Sequence, residues 1–127
     1  METTPPVVLV VDDEPVIRSL LAERLDLAGY EVIEASSGAE AIEIMGSDRQ
    51  VKAVISDVQM PGVDGFALAR WFAKHAPTVR VMLTSGKISP LKMRKLMPEV
   101  RFFPKPFRLS TVVQELDDFT GRHDIRP

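Results

Sequence analysis

The 127 residues contain no cysteine, two histidines, one tryptophan and one tyrosine. Without thiols, a disulfide framework, a thiolate zinc site and a cysteine nucleophile are excluded, so any chemistry must come from carboxylates, hydroxyls, Lys105 or the two imidazoles. The lack of cysteine fits a reducing compartment, and the expected location is cytoplasmic. Long apolar runs are also missing. The first one, Val7 to Val11, follows the polar stretch Met1 to Pro6 and is far too short for a signal-peptide core or a membrane span, so nothing is expected to export or anchor the chain. Internal repeats and low-complexity stretches are absent as well.

What is present is the composition of one globular domain: 45% hydrophobic and 27% charged residues, with a net charge of −2. The charge is unevenly spread. Residues 1–60 carry 4 basic and 12 acidic side chains, a net of −8, whereas residues 61–127 carry 12 basic and 6 acidic ones, a net of +6. Such asymmetry suits one surface to a cation and another to an acidic partner.

Along the chain, strand and helix patterns alternate. Val7 to Val11 is a nearly all β-branched run ending at Asp12, the mark of a strand buried on both faces. Pro15 then opens a helix whose apolar positions Ile17, Leu20, Leu21, Leu25 and Ala28 recur at helical spacing until Gly29. Glu31 to Ala35 alternates polar and apolar, as a half-exposed strand does, and Ser37 with Glu40 resembles a capping box for a helix running to Gly46. Ala53 to Ser56 repeats the buried-strand pattern and ends in Asp57, followed by a loop with Pro61, Gly62 and Gly65. A helix from about Asp64 to Lys74 presents Leu68, Ala69 and Phe72 on one face, and Val79 to Thr84 reads as a strand broken by Ser85 and Gly86. A short helix, Pro90 to Met97, is capped by Ser89 and stopped by Pro98. Val100 to Phe103 is a last strand, and Leu109, Val112, Val113, Leu116 and Phe119 form the closing amphipathic helix. Gly121 to Pro127 reads as a fray. Five strands alternating with five helices predict an α/β fold: a parallel, doubly wound sheet with right-handed crossovers, helices on both faces and ligands at the carboxyl ends of the strands.

That rule places Asp12, Asp13 and Asp57 on one rim. Two unit charges about 4 Å apart repel by roughly 4 kcal/mol at an effective dielectric near 20, so the cluster needs a proton, a lysine or a metal to persist. Oxygen-only ligands without Cys or neighbouring His favour magnesium over zinc or copper. Asp12 and Asp13 alone could equally serve as helix caps, and Asp57 after a second buried strand tips the balance toward a metal. Lys105, held between Pro104 and Pro106 at the end of the fifth strand, is placed to pair with the acids, and Thr84 ends the fourth strand where a hydroxyl could donate to an anion. Trp71 and His75 on the third helix read as packing and solvent-facing respectively, and His123 in the tail carries no signal.

The runs Val10-Val11-Asp12-Asp13-Glu14, Ser56-Asp57-Val58-Gln59-Met60-Pro61-Gly62-Val63-Asp64-Gly65, Leu83-Thr84-Ser85 and Lys105-Pro106-Phe107 together resemble the receiver domain of two-component response regulators, in its single-domain, chemotaxis-regulator-like form. The resemblance covers about residues 7–120 and implies one receiver domain over 1–127, with 1–6 and 121–127 as tails. It implies a flavodoxin-like sheet with strand order 2-1-3-4-5. By position, Asp57 would accept a phosphoryl group from a phosphohistidine of a sensor histidine kinase or histidine phosphotransfer protein. Asp13, Asp57 and the backbone carbonyl of Gln59 would hold Mg2+, with Asp12 contributing directly or through water, and Lys105 and Thr84 would contact the phosphoryl oxygens. The domain would catalyse its own phosphorylation and autodephosphorylation, with no dedicated external substrate. Thr84 and Phe102 would form the switch, remodelling the surface of the fourth helix, fifth strand and fifth helix. There Lys87, Lys92, Arg94, Lys95, Arg101 and Arg108 are basic while Asp117 and Asp118 lie on the closing helix, suiting a downstream protein partner or a salt-bridged homodimer. Direct binding to nucleic acid or membrane is not implied.

Three positions depart from the family pattern. Met97-Pro98-Glu99 replaces the Ala-Gly-Ala stretch that many receivers carry, Phe102 lacks the hydroxyl of the tyrosine often found there, and Gln59 occupies the place where the family tunes dephosphorylation. Rival readings fit less well. A haloacid-dehalogenase-like phosphatase wants Asp-x-Asp, which Asp12-Asp13-Glu14 does not supply, and a dinucleotide-binding module needs a glycine-rich turn where residues 12–16 have no glycine. A DNA-binding regulator needs an output domain after Phe119. A receiver cut from a hybrid histidine kinase or a transcription factor is the remaining alternative; the start at Met1 favours a stand-alone regulator.

Overall fold

The computed structural model describes residues 4–47 and 50–122. His123 and the rest of the expected tail lie outside the described residues. Five strands and five helices alternate: β1 (Val7–Val11), α1 (Pro15–Leu27), β2 (Glu31–Ala35), α2 (Gly38–Met45), β3 (Val51–Asp57), α3 (Gly65–His75), β4 (Arg80–Ser85), α4 (Pro90–Leu96), β5 (Arg101–Pro104) and α5 (Leu109–Thr120). The strands form one parallel sheet in the order β2-β1-β3-β4-β5, as the alternation predicts. β3 begins two residues before the apolar run at Ala53 and includes Asp57 itself, which pairs in register with Thr84.

Alternation along the buried strands divides the core between the two faces of the sheet. Val8, Val10, Ala53, Ile55, Met82 and Phe103 meet α1 and α5 on one side, while Leu9, Val11 and Val54 meet Ala41 of α2 and Leu68 and Phe72 of α3 on the other. A smaller cluster of Val58, Ala69, Leu83 and Met93 seats α4, with Phe102 half-buried against it. Helix entries follow the expected side chains. Ser37 accepts from the Glu40 N–H, Asp64 from Ala67 N–H and Ser89 from Lys92 N–H. The reciprocal arm of the capping box shifts by one residue: Glu40 accepts from the N–H and hydroxyl of Ser36, which holds its carboxyl below the ordinary value.

Two apolar faces differ from the periodicity. In α1, Leu21, Ala22 and Leu25 are buried, whereas Ile17 is 37% and Leu20 52% exposed. Ile17 and Leu20 instead border an open depression shared with Pro106, Phe107 and Leu109, beyond the end of β5. In α5, Val112 and Leu116 are buried while Phe119, 43% exposed, lies under the Arg80 guanidinium. Asp117, expected on the outer surface, is instead buried and accepts from the Tyr30 hydroxyl at 2.7 Å. Past α5, Gly121 takes a left-handed conformation and Arg122 sits over the Tyr30 ring, donating to the Gly29 carbonyl.

Gly65 is the point where the fold presses α3 against the end of β3. A Cβ there would lie 2.6 Å from the Asp57 carbonyl oxygen and 2.7 Å from the Val58 Cα, both backbone atoms that cannot yield cheaply. Gly65→Ala is therefore expected to cost about 1–3 kcal/mol and to lower the thermal midpoint by several degrees in calorimetry. A midpoint equal to wild type would mean that the helix start has room to move.

Candidate functional site

β1, β3, β4 and β5 deliver their carboxyl ends to one rim. Val11 pairs with Ser56, so Asp12 and Asp57 follow as neighbours one step further on, and Thr84 lies beside Asp57 on the other side. Beyond the fifth strand, Lys105 follows a β4–β5 register that aligns Ser85 with Pro104, and its N–H donates to the Ser85 carbonyl at 2.9 Å. The Lys105–Pro106 peptide is cis.

The expected acids converge. One carboxylate oxygen each from Asp12, Asp13 and Asp57 lies within 4.8 Å of the others; Asp12 and Asp57 are buried and Asp13 is exposed. Lys105 Nζ stands 3.4 Å from Asp57 Oδ2 and 3.9 Å from Asp12 Oδ2, so the single ammonium bridges two of the three acids. Capping does not account for the pair at the end of β1. No side chain caps α1, and Asp12 Oδ1 accepts from the Glu14 N–H at 2.9 Å, a turn that fixes the carboxylate just ahead of the helix. Arg18 further holds the loop through the Asp12 carbonyl at 2.8 Å.

Burial raises the Asp12 carboxyl above its ordinary 3.8; the Glu14 N–H opposes this, the Asp57 charge adds to it, Lys105 lowers it and Asp13 raises it. Burial outweighs the Glu14 N–H and the Lys105 ammonium in the net direction. Asp57 Oδ1 is buried and receives no hydrogen bond among the described residues, although Oδ2 faces Lys105. A buried anionic oxygen without a donor is costly, and an all-oxygen set around it suits a hard divalent cation. The residues present therefore fit a metal ion.

Thr84 is buried beside Asp57, and Gln59, partly exposed, lies in the loop after β3. Phe102 is half-buried in the α4 cluster, in register with Leu83. Trp71 stacks on His75 and meets Phe72 edge-on, away from the rim, as the sequence suggested. The sequence reading did not assign Ser85 a role. Its hydroxyl, buried, joins the loops after β3 and β4 by donating to Gln59 Oε1 at 2.7 Å. A serine following a strand-end threonine is too common a pattern to have signalled this.

An open parallel sheet with three acids and a lysine gathered at its carboxyl rim is the arrangement of doubly wound α/β proteins that bind ligands at that edge. Residues 8–117 match the response regulator receiver domain, and the chain belongs to that family. It is thus a receiver domain of two-component signalling. The chain is 39% identical over 115 residues to the sensor kinase CckA of Brucella abortus, covering 86% of this chain and 12% of that protein. It is 41% identical over 85 residues to the probable transcriptional regulator ycf27 of Porphyra purpurea, covering 67% of this chain and 35% of that one. Among solved structures it resembles the response regulator TrrA of Thermotoga maritima in complex with Mg2+-BeF, with a TM-score of 0.79 at 28% identity, over 90% of this chain and 98% of that one. The chain thus spans between an eighth and about a third of these two curated relatives. No helix among the described residues is long and apolar enough to cross a membrane.

The raised Asp12 carboxyl gives a signed expectation for the metal-free protein. Its ionised form costs stability, so the penalty is full above the folded-state value and disappears as pH falls to 3.8 and below. Asp12→Asn should melt at a higher temperature than wild type near neutral pH, and that advantage should shrink as pH falls. Thermal melts of both proteins in chelator across the acid range check this; an advantage that grows toward acid would contradict it.

Proposed function

We propose that this receiver is a phosphoryl-accepting switch of a two-component system or phosphorelay in which Asp57 takes the group from a phosphohistidine. The observation that carries this is the buried Asp57 carboxylate, one oxygen facing Lys105 and the other without a donor among the described residues. An Asp57 oxygen forms its bond to phosphorus as the phosphorus–nitrogen bond to the donor imidazole breaks. The chain's part is to hold that oxygen in line, and the parallel sheet does so by fixing Asp57 between β1 and β4. Mg2+, held by Asp13, Asp57 and the Gln59 carbonyl with Asp12 directly or through water, would supply positive charge to the transferring oxygens. The Mg2+-BeF complex of the T. maritima relative supports that choice of ion.

Lys105 places its ammonium against the developing charge, and the Thr84 hydroxyl, in register with Asp57, donates to a phosphoryl oxygen. Drawing Thr84 toward the phosphoryl group frees space beside β5, and Phe102, already half-buried against Leu83 and Met93, moves to fill it. Such repacking reaches the α4–β5–α5 face, where the output partner or a second copy of the chain binds. On that face Arg80 and Arg101 pair with Glu115 of the same chain, which leaves Lys87, Lys92, Arg94, Lys95 and Arg108 as the basic display. The folded unit of this reading is a single domain, its core at about residues 7–120.

The donor, a sensor histidine kinase or histidine phosphotransfer protein, docks where α1 is uncovered. Ile17 and Leu20 lie with Pro106 and Phe107 in one apolar depression bordered by Lys105, so a helix seated there brings its imidazole to the rim.

Incubation with acetyl phosphate and Mg2+ should add one phosphoryl group to the wild type by intact-mass spectrometry, and Asp57→Asn should lose labelling at least about a hundredfold. Equal labelling of the variant would overturn the acceptor. Mg2+ should raise the melting midpoint of the wild type, and do so less in Asp13→Ala.

A separate outcome concerns docking. Leu20→Glu should cut the rate of transfer from a phosphohistidine protein at least about tenfold through lost apolar contact, while leaving acetyl phosphate labelling unchanged. Loss of both rates together would point to damage at the rim instead of lost docking.

A further inference from the structure

Asp13 is held differently from the two other acids of the rim. Asp12 and Asp57 are buried and face Lys105, whereas Asp13 is exposed and its carboxylate takes no hydrogen bond or ion pair among the described residues. What keeps its oxygen within 4.8 Å of the others is therefore the backbone from which it hangs. Arg18 grips that backbone on both sides. Its main-chain N–H donates to the Glu14 carbonyl at 3.0 Å, and Nη1 of its guanidinium donates to the Asp12 carbonyl at 2.8 Å. A peptide unit is planar, so holding the Asp12 carbonyl oxygen also sets the Asp13 nitrogen and Cα, the root of the exposed side chain. The peptide before it is tied to β2, where the Asp12 N–H donates to the Ala35 carbonyl at 3.2 Å. The guanidinium is anchored in turn: Nε donates to Glu34 Oε1 at 3.1 Å, and Glu34 stands on β2 in register with Val10.

We propose that Arg18, steadied by Glu34, is a positioning residue for the metal: it fixes Asp13 and so sets how tightly the rim binds Mg2+. The proposal rests on Asp13 being a ligand of that ion. Arg18 acts on a bound cation in two opposed ways. Its charge repels the ion, and its grip removes the need to order Asp13 when the ion arrives. The repulsion is weak, because the guanidinium is already paired with Glu34, a carboxylate 43% exposed to screening solvent. Ordering one loose backbone residue, by contrast, costs roughly tenfold in an equilibrium constant, so the grip outweighs the charge. The fork of the guanidinium is what the task requires: Nε and Nη1 lie in one plane and reach Glu34 and the Asp12 carbonyl together, which a single ammonium does not do.

The test is a Mg2+ titration of the metal-free protein followed by amide chemical shifts, with no phosphodonor present. Arg18→Met and Arg18→Lys should each raise the Mg2+ dissociation constant about 3- to 10-fold, the range expected for one orienting hydrogen bond. Arg18→Lys keeps the charge and loses the fork, so charge acting alone predicts no change for it and tighter binding in Arg18→Met. Glu34→Gln should weaken binding by itself and add nothing in the Arg18→Met background, because the two residues act as a unit. In labelling with acetyl phosphate, the same variants should need more Mg2+ to reach half-maximal rate while their rate at saturating Mg2+ stays within about twofold of wild type, a split that general damage to the fold would not give. Should Arg18→Met fail to fold, Arg18→Lys and Glu34→Gln carry the test. Wild-type dissociation constants in both Arg18 variants, or tighter binding in Arg18→Met, would overturn the positioning role and leave the metal site standing. A wild type that binds no Mg2+, or Asp13→Ala binding it as tightly as wild type, would overturn Asp13 as a ligand and this proposal with it.

Discussion

Mutual repulsion among Asp12, Asp13 and Asp57 is the constraint around which the carboxyl rim of the sheet is arranged. The acids come from the ends of β1 and β3, and the one cation among them, Lys105, comes from the end of β5, so no local stretch of chain contains both the charge and its relief. Parallel pairing through β1, β3, β4 and β5 brings them together, and close packing at Gly65 keeps the end of β3 from retreating. Burial of Asp12 and Asp57 makes the arrangement costly in the absence of a cation. Burial raises the Asp12 carboxyl, and it leaves Asp57 Oδ1 without a donor among the described residues.

The rest of the molecule is organised by distance from that rim. Thr84 and Ser85, adjacent in sequence, face different tasks because a strand turns successive side chains to opposite sides. Thr84 stands beside Asp57, while the Ser85 hydroxyl knits the loop after β3 to the turn leading into α4. The two residues that flank Thr84 thus join different networks: Leu83 packs with Met93, against which Phe102 is half-buried, and the Ser85 hydroxyl accepts from the N–H groups of Lys87 and Ile88 at the start of the loop before α4.

The uneven charge of the two halves of the chain acquires a spatial meaning. Asp12, Asp13 and Asp57 from the first half line the rim, and Arg80, Arg101, Lys92, Arg94 and Lys95 from the second half surround α4 and β5. Part of that basic charge is already answered within the chain by Glu115, which takes both Arg80 and Arg101. Asp117 belongs to neither surface: it is buried under Tyr30, where it ties α5 to the turn between α1 and β2.

The order and type of every element were legible from residue patterns, because apolar alternation, capping side chains and glycine stops act over a few residues and are written contiguously. The convergence of Asp12, Asp57, Thr84 and Lys105 was legible too, since each stands at or just past the carboxyl end of a strand and a parallel sheet collects such ends at one edge. Helical periodicity marked Ile17, Leu20 and Phe119 as apolar but could not say which part of each apolar arc the sheet would reach. It placed Asp117 on a helix without showing that Tyr30, 87 residues away, would bury it. Likewise the bond from Ser85 to Gln59 joins loops 26 residues apart. Such contacts depend on how far each helix rolls on the sheet and where two loops cross, which are properties of packing in three dimensions, and short-range patterns in a chain carry no record of them.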